Sequence, residues 1–278
     1  LISAMQHMLK KAVTDSERKD IKQNRLIGIE NNPKMFALAA SNMILRGDGK
    51  ANLHQASCFD EAVIKAIKKM RPNVGMLNPP YAQSKSDAEL HELYFVKQML
   101  DCLEPGGIGV AIVPVSCAIS PNPVRDELMK HHTLDAVMSM PQELFYPVGV
   151  VTCIMVWVAG RPHVKSGRKT WFGYWRDDGF IKTKHKGRID LNDAWPAIRD
   201  RWVEIYRNRE VHAGESVIHA VSAEDEWCAE AYMETDYSKL TESDFKNVVK
   251  NYAIYRLLGN QAETDVEENG EDDNGSAE

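Results

Sequence analysis

Asn73-Val74-Gly75-Met76-Leu77-Asn78-Pro79-Pro80-Tyr81 is the stretch on which the reading of this chain turns. Residues 73–77 are apolar enough to predict a buried strand, and the tetrapeptide Asn78-Pro79-Pro80-Tyr81 follows at once. In open α/β sheets, ligands bind beyond the carboxyl ends of the strands. Two successive prolines fix φ and restrict the residue before each of them. A stiff turn accounts for the prolines. It does not ask for a carboxamide at one end and a phenol ring at the other, so all four residues become candidate site residues.

Outward from this point the first half alternates helix-like and strand-like segments. Leu1–Val13 reads as a helix, Arg25–Glu30 as a short strand, and Pro33 to about Arg46 as a helix opened by Asn32 and Pro33. Strand Asn52–Ser57, helix Asp60–Met70 and the strand before Asn78 follow, then helix Ala88–Leu103, strand Ile108–Val113 and helix Val124–His131. This order predicts βαβ units and a parallel sheet. Leu134–Met140 and Val150–Val158 are both strand-like with no helix between them, which predicts an antiparallel hairpin at one sheet edge. Beyond residue 160 the expectation is an appendage, with a strand at Lys169–Trp175 and helices at Asp193–Tyr206 and Glu242–Leu258.

Composition sets outer bounds. With 278 residues, 44% hydrophobic and 27% charged, the chain has an ordinary globular balance and length enough to bury a sizeable core. No apolar run approaches the ~20 residues that span a bilayer. Five cysteines, none within four residues of another, fit a reducing compartment better than a disulfide framework, so a cytoplasmic location is expected. Residues 261–278 carry eight acids and no Lys or Arg. Setting them aside turns the formal −6 into +2 for residues 1–260. That tail is expected to be disordered. A basic run, nine Lys/Arg against three Asp, lies between Arg161 and Asp190. It reads as a solvated face or as a surface for phosphates.

Asn-Pro-Pro-Tyr after the fourth strand resembles the catalytic motif of S-adenosyl-L-methionine-dependent amino-group methyltransferases, most of which act on the exocyclic amine of adenine in DNA. The resemblance extends to Ile27-Gly28-Ile29-Glu30-Asn31-Asn32-Pro33 with Ala37, Ala39 and Asn42. It continues through Phe145-Tyr146-Pro147 with Gly149 and Thr152, and through Trp171-Phe172-Gly173-Tyr174 with Asp178-Gly179-Phe180. Together these are similar to the modification subunits of type I restriction-modification systems over roughly residues 1–190. The resemblance implies a Rossmann-like, mostly parallel α/β methyltransferase sheet in residues 1–160, a partly helical appendage in 161–260 and the acidic tail. It implies cofactor contacts at Glu30, Asn31, Ser57 and Asn78. As partners it implies double-stranded DNA, a specificity subunit that reads the sequence, and a restriction subunit. No membrane and no metal are expected.

The chemistry agrees with that role. An adenine amine is a poor nucleophile because its lone pair is delocalised into the ring. The side-chain oxygen of Asn78 and the carbonyl of Pro79 can hold its two N–H groups on a preorganised ledge and favour a pyramidal nitrogen. The freed lone pair then attacks the sulfonium methyl in line, and much of the acceleration comes from positioning. Tyr81 offers a face on which a flipped base can stack, and Phe145 or Tyr146 can close the other side. Glu30, at a strand end before a helix, is suited to a ribose diol.

Two departures from the family pattern stand out. Where an acid usually follows the third strand, this chain has Ser57, with Asp60 three residues on. The Gly-rich turn and first strand that normally precede the opening helix are not in the sequence, which starts at Leu1, so a fragment of a longer protein is expected. Gly106-Gly107-Ile108-Gly109 precedes a strand and is a turn, not a substitute. The histidines show no metal-ligand spacing, and Ser116, Cys117 and Ser120 have no triad partners nearby. Two rival functions stay open: a protein glutamine methyltransferase, because a carboxamide poses the same lone-pair problem, and a non-catalytic truncated subunit that acts as a scaffold.

Overall fold

The structure is a computed structural model that describes residues 1–47, 52–81, 91–184, 186–234 and 240–268, with side chains to 256. Helices α1 (Ile2–Lys11) and α2 (Asp15–Asn24) lead into β1 (Ile27–Glu30), α3 (Pro33–Leu45), β2 (Asn52–Gln55), α4 (Glu61–Lys69) and β3 (Val74–Leu77). Then come α5 (Glu92–Cys102), β4 (Ile108–Pro114), α6 (Ser116–Ile119), α7 (Pro123–His131), β5 (Thr133–Ser139) and β6 (Thr152–Val158). The chain continues with α8 (His163–Ser166), β7 (Thr170–Tyr174), β8 (Ile181–Thr183), β9 (Gly187–Ile189), α9 (Trp195–Asn208), β10 (Ser216–His219) and a 3₁₀ turn at Ala229–Ala231. Helix α10 (Glu242–Glu268) comes last.

Local chemistry sets most helix starts. Asn32 accepts from the N–H groups of Lys34 and Met35, Asp60 from Ala62 and Val63, and Asn122 from Val124, with Pro33 and Pro123 in the first turns. Helix α2 has no apolar stripe and was not expected. A reciprocal pair between Thr14 and Glu17 closes its first turn from both sides.

Strands β10-β7-β5-β6-β4-β3 form one sheet, and β1-β2 a separate parallel pair. β3, β4, β5 and β7 run in one direction, with β6 and β10 against them. One face is covered by α5, α7 and the segment around Trp227, packed on Leu134, Val137, Met155, Trp157 and Phe172. The other carries α9, with Ile205, Trp202 and Tyr206 against Met138, Val156, Trp171 and Trp175. Glycines at 75 and 109 let α5 approach closely; a Cβ on Gly75 would stand 2.7 Å from Met99.

The structure alters several expectations. β3 is not buried: Val74 and Met76 are 60% and 73% exposed, and among the described residues β3 is hydrogen-bonded to β4 alone. The antiparallel β5–β6 pair is not at an edge, because β6 lies between β5 and β4 and the sheet runs on through β7 to β10. A boundary at residue 160 is therefore not where the contacts divide. The compact units are Leu1–Met233 and Glu234–Glu278. In the second unit, the α10 backbone is helical through Glu268, inside the segment expected to be disordered, and 269–278 lie outside the described residues. Among the described residues no helix is long and apolar enough to cross a membrane.

Candidate active site

β3, β4 and β5 share a direction, so the segment after β3 and the loop leaving β5 stand at the same pole of the sheet. There the rings of Tyr81 and Phe145 meet edge to face, with centroids 6.2 Å apart and planes at 84°. Asn78 and Pro80 are exposed and Pro79 is buried, so the carboxamide is open to solvent on a base anchored by the first proline. The Tyr81 hydroxyl is buried and, among the described residues, has no hydrogen-bond partner. Burial pushes its ionisation up, helped by the neighbouring Cys153, Glu92 and Cys117, so the ring presents a neutral phenol.

Three consecutive turn bonds shape the loop that carries Phe145: Leu144 N–H to Pro141 O (3.2 Å), Tyr146 N–H to Glu143 O (3.1 Å) and Val148 N–H to Phe145 O (2.9 Å). Leu144 packs into the core beneath. Of the two aromatic candidates, Phe145 faces Tyr81, whereas Tyr146 lies under the Lys182 ammonium, 4.4 Å from its ring centre. Lys182 also binds Glu143 at 2.9 Å, so β8 clasps the loop from outside.

A second clasp holds the loop's root. Arg176 donates to Met140 O (3.0 Å) and pairs with Glu230, which accepts from the Ser139 hydroxyl at 2.6 Å. Burial pushes the Glu230 carboxyl up, but the hydrogen bonds from Ser139 and Arg176 outweigh it and hold the group below its usual range. Sequence reading missed these residues. Arg176 and Lys182 sat inside a basic run, and Glu230 lies in a stretch with no pattern of its own.

The expected cofactor residues lie at the other parallel pair. Glu30 closes β1, opposite Gln55 of β2, and Ser57 comes two residues after β2 ends. One Glu30 oxygen accepts from Asn32 N–H at 2.7 Å, Asn31 is exposed, and the Ser57 oxygen accepts from Phe59 N–H at 3.2 Å. Asp60 Oδ1 caps α4, accepting from Ala62 and Val63 N–H. Phe59 meets Phe95 of α5 with centroids 4.9 Å apart, linking this region to the main sheet. Among the described residues no hydrogen bond joins Glu30, Asn31 or Ser57 to Asn78. The structure thus unites Tyr81 with Phe145, and Glu30 with the turn into α3, but not the two groups with each other.

Beside Tyr81, His91, Glu92 and Cys117 bring ligand-type atoms within 4.8 Å of one another. Chain spacing hides this group because Cys117 arrives on a different helix. His91 Nδ1 accepts from Leu93 N–H at 3.2 Å as the cap of α5, and burial pushes the Cys117 thiol well above its ordinary range, favouring the neutral form.

Fold and site together define an α/β protein whose candidate site residues Asn78, Tyr81 and Phe145 stand at the carboxyl pole of a mostly parallel sheet. By sequence the chain belongs to the N-6 DNA Methylase family, whose profile matches residues 1–256. It is 36% identical over 268 residues to the type II restriction enzyme and methyltransferase RM.BcgI of Heyndrickxia coagulans. That match takes in 92% of this chain and 41% of the relative, so the chain spans about two-fifths of that protein's length. Its fold is shared with a modification subunit of a putative type I restriction enzyme from Vibrio vulnificus YJ016 (TM-score 0.63, 16% identity, 83% of this chain and 54% of the other). It is shared too with a chain from a type I restriction-modification assembly (TM-score 0.66, 18% identity, 99% of this chain and 60% of the other).

Proposed function

We propose that this chain is the catalytic part of a site-specific DNA adenine methyltransferase, moving a methyl group from S-adenosyl-L-methionine to the N6 amine of a flipped adenine. The observation that carries the reading is the Tyr81–Phe145 pair beside the exposed Asn78, at the end of β3, in a member of the N-6 DNA methylase family. Asn78 Oδ1 and the Pro79 carbonyl accept the two N–H bonds of the amine, which frees the nitrogen lone pair. Tyr81 and Phe145 leave their edge-to-face contact and hold the base between them. Stacking of this kind is worth about 1–3 kcal/mol per base.

The donor set fits the cofactor at its ribose end. Glu30 has one carboxylate oxygen tied to its own turn and the other available to a diol. Ser57, whose oxygen already accepts, keeps its O–H to donate. S-adenosyl-L-methionine, when bound, supplies an electrophilic methyl group on sulfur. We further propose that a parallel strand with a Gly-rich turn completes the sheet between β1 and β3 in the whole protein. The edges of β1 and β3 that pair with no strand among the described residues, and the exposed Val74 and Met76, support this, since such edges invite another strand. Double-stranded DNA, a specificity subunit and a restriction subunit are the proposed partners, and the cytoplasm the proposed location.

Methyl transfer by the full-length protein to unmethylated duplex DNA tests the reading. Asn78→Ala is expected to lower kcat by about 100-fold or more, the scale for losing one preorganised acceptor. Transfer to a glutamine-bearing protein instead of DNA, or undiminished DNA methylation by the variant, overturns it.

A further inference from the structure

Four of the nine Lys/Arg between Arg161 and Asp190 are neutralised by the fold. Arg168 pairs with Asp135, Arg176 with Glu230, Lys182 with Glu143 and Arg188 with Asp178. Arg161, Lys165, Lys169, Lys184 and Lys186 are exposed and, among the described residues, have no acidic partner; the first three lie in or beside α8, and Lys184 and Lys186 stand on the turn between β8 and β9, the hairpin clasped to the Phe145 loop.

The small hairpin that carries them is anchored on both sides. On β8, Lys182 binds Glu143 and covers Tyr146, the neighbour of Phe145. On β9, Arg188 forms a largely buried pair with Asp178 at 2.6 Å and lies 5.5 Å from the ring centre of Phe180. Phe180 in turn meets Trp195 of α9, whose first turn is capped by both oxygens of Asp190. The turn is braced as well, since Thr183 Oγ donates to Gly187 O (2.8 Å) and accepts from Lys186 N–H (3.1 Å). Four acids flanking the hairpin are engaged: Glu143 and Asp178 in ion pairs, Asp177 with Gly179 N–H, Asp190 at the helix cap. The result is a braced tip with two unneutralised ammonium groups, clasped to the loop of the aromatic pocket.

We infer that the β8–β9 hairpin is a phosphate-binding finger, in which Lys184 and Lys186 hold the duplex backbone next to the nucleotide whose base enters the Tyr81–Phe145 pocket. The inference rests on the DNA-methylating reading and adds to it a named contact surface. At about 3.3 Å per residue of extended chain, residues 184 and 186 lie within a few nucleotide lengths of the clasp at Lys182. A backbone contact carries no sequence information, so it positions the duplex without reading it.

The test is the salt dependence of duplex binding by the full-length protein, compared with Lys184→Ala/Lys186→Ala. Each phosphate contact contributes about 0.9 to the slope of log K against log salt. The double variant should therefore bind with a slope shallower by about 1.8 and lose affinity equally for cognate and non-cognate duplexes. Should wild type and variant share one slope, the finger is refuted, and an acidic protein becomes the better occupant of the two lysines. A wild-type protein that, together with its specificity subunit, binds no duplex at any salt concentration refutes the methylase reading itself.

Discussion

The β1–β2 pair and the six-stranded sheet are built to different standards. In the sheet every residue of β5 is buried, and Trp157, Trp171 and Trp227 are sealed. Around β1 and β2 the buried cluster among the described residues is Met5, Leu26 and Met43, while Met35, Leu38, Ile44 and Leu45 of α3 remain exposed. The proposed base pocket stands on the six-stranded sheet and the proposed ribose contacts on the β1–β2 pair. The proposed substrate site thus rests on a close-packed layer, and the proposed cofactor site on one that still has apolar surface to cover.

Substitutions in the two cores should expose this contrast most strongly. Trp157→Ala, which also removes the edge contact with Trp227 (5.6 Å between centroids), should cost about 3–5 kcal/mol and lower the global denaturant midpoint. Met43→Ala should cost nearer ~2 kcal/mol and be seen chiefly as faster amide exchange in β1 and β2, with β4–β6 unchanged. Equal loss of protection in both regions would show that they unfold as one. The contrast sharpens next if a chain extended upstream of Leu1 is made. Calorimetry should then show S-adenosyl-L-methionine binding at least ~10-fold tighter, a gain of about 1.4 kcal/mol, with new protection in β1 and β3 together.

The smallest effect concerns the far end of the sheet. There His132 accepts from Gly160 N–H at 3.1 Å, and its Nε2 lies 3.3 Å from Asp101, which also binds Lys97. Burial pushes the Asp101 carboxyl up, but His132 and Lys97 outweigh it and hold the group at about 2. A depressed carboxylate stabilises the fold fully above its unfolded value near 4 and loses that contribution as pH falls towards 2. Asp101→Asn should therefore lower Tm by about 1–3 °C at pH 7, with the gap closing between pH 4 and pH 2. A gap that persists unchanged at pH 3 would assign the loss to packing instead.

What could be read from the chain was what is local. Asn32 with Pro33, and Asn78-Pro79-Pro80 after β3, declare themselves within a few residues because capping and φ restriction act at that range. Helix α2 escaped because its sequence, Asp15 to Asn24, has no apolar face and only the Thr14–Glu17 box marks it. The exposure of Val74 and Met76 escaped because apolar character says what a strand prefers to touch, not whether anything touches it. The interior place of β6 and the enlistment of β7 and β10 are pairings between distant segments, for which no nearby residue is a sign. In the site, Asn78, Tyr81 and Phe145 were legible as residue types. The clasps by Lys182, Arg176 and Glu230 were not, since each depends on a partner many positions away.

The clasp at the root of the Phe145 loop also bears on the birth of the protein. Ser139 and Glu230 are 91 positions apart, and Arg176 and Glu230 are 54 apart. Contacts of such separation form slowly, after long stretches of chain have been brought together. A ribosome must release Glu230 before the loop can be locked. During synthesis the clasp at the root of the aromatic pocket is therefore a late arrival, completed only once Glu230 has joined Ser139 and Arg176.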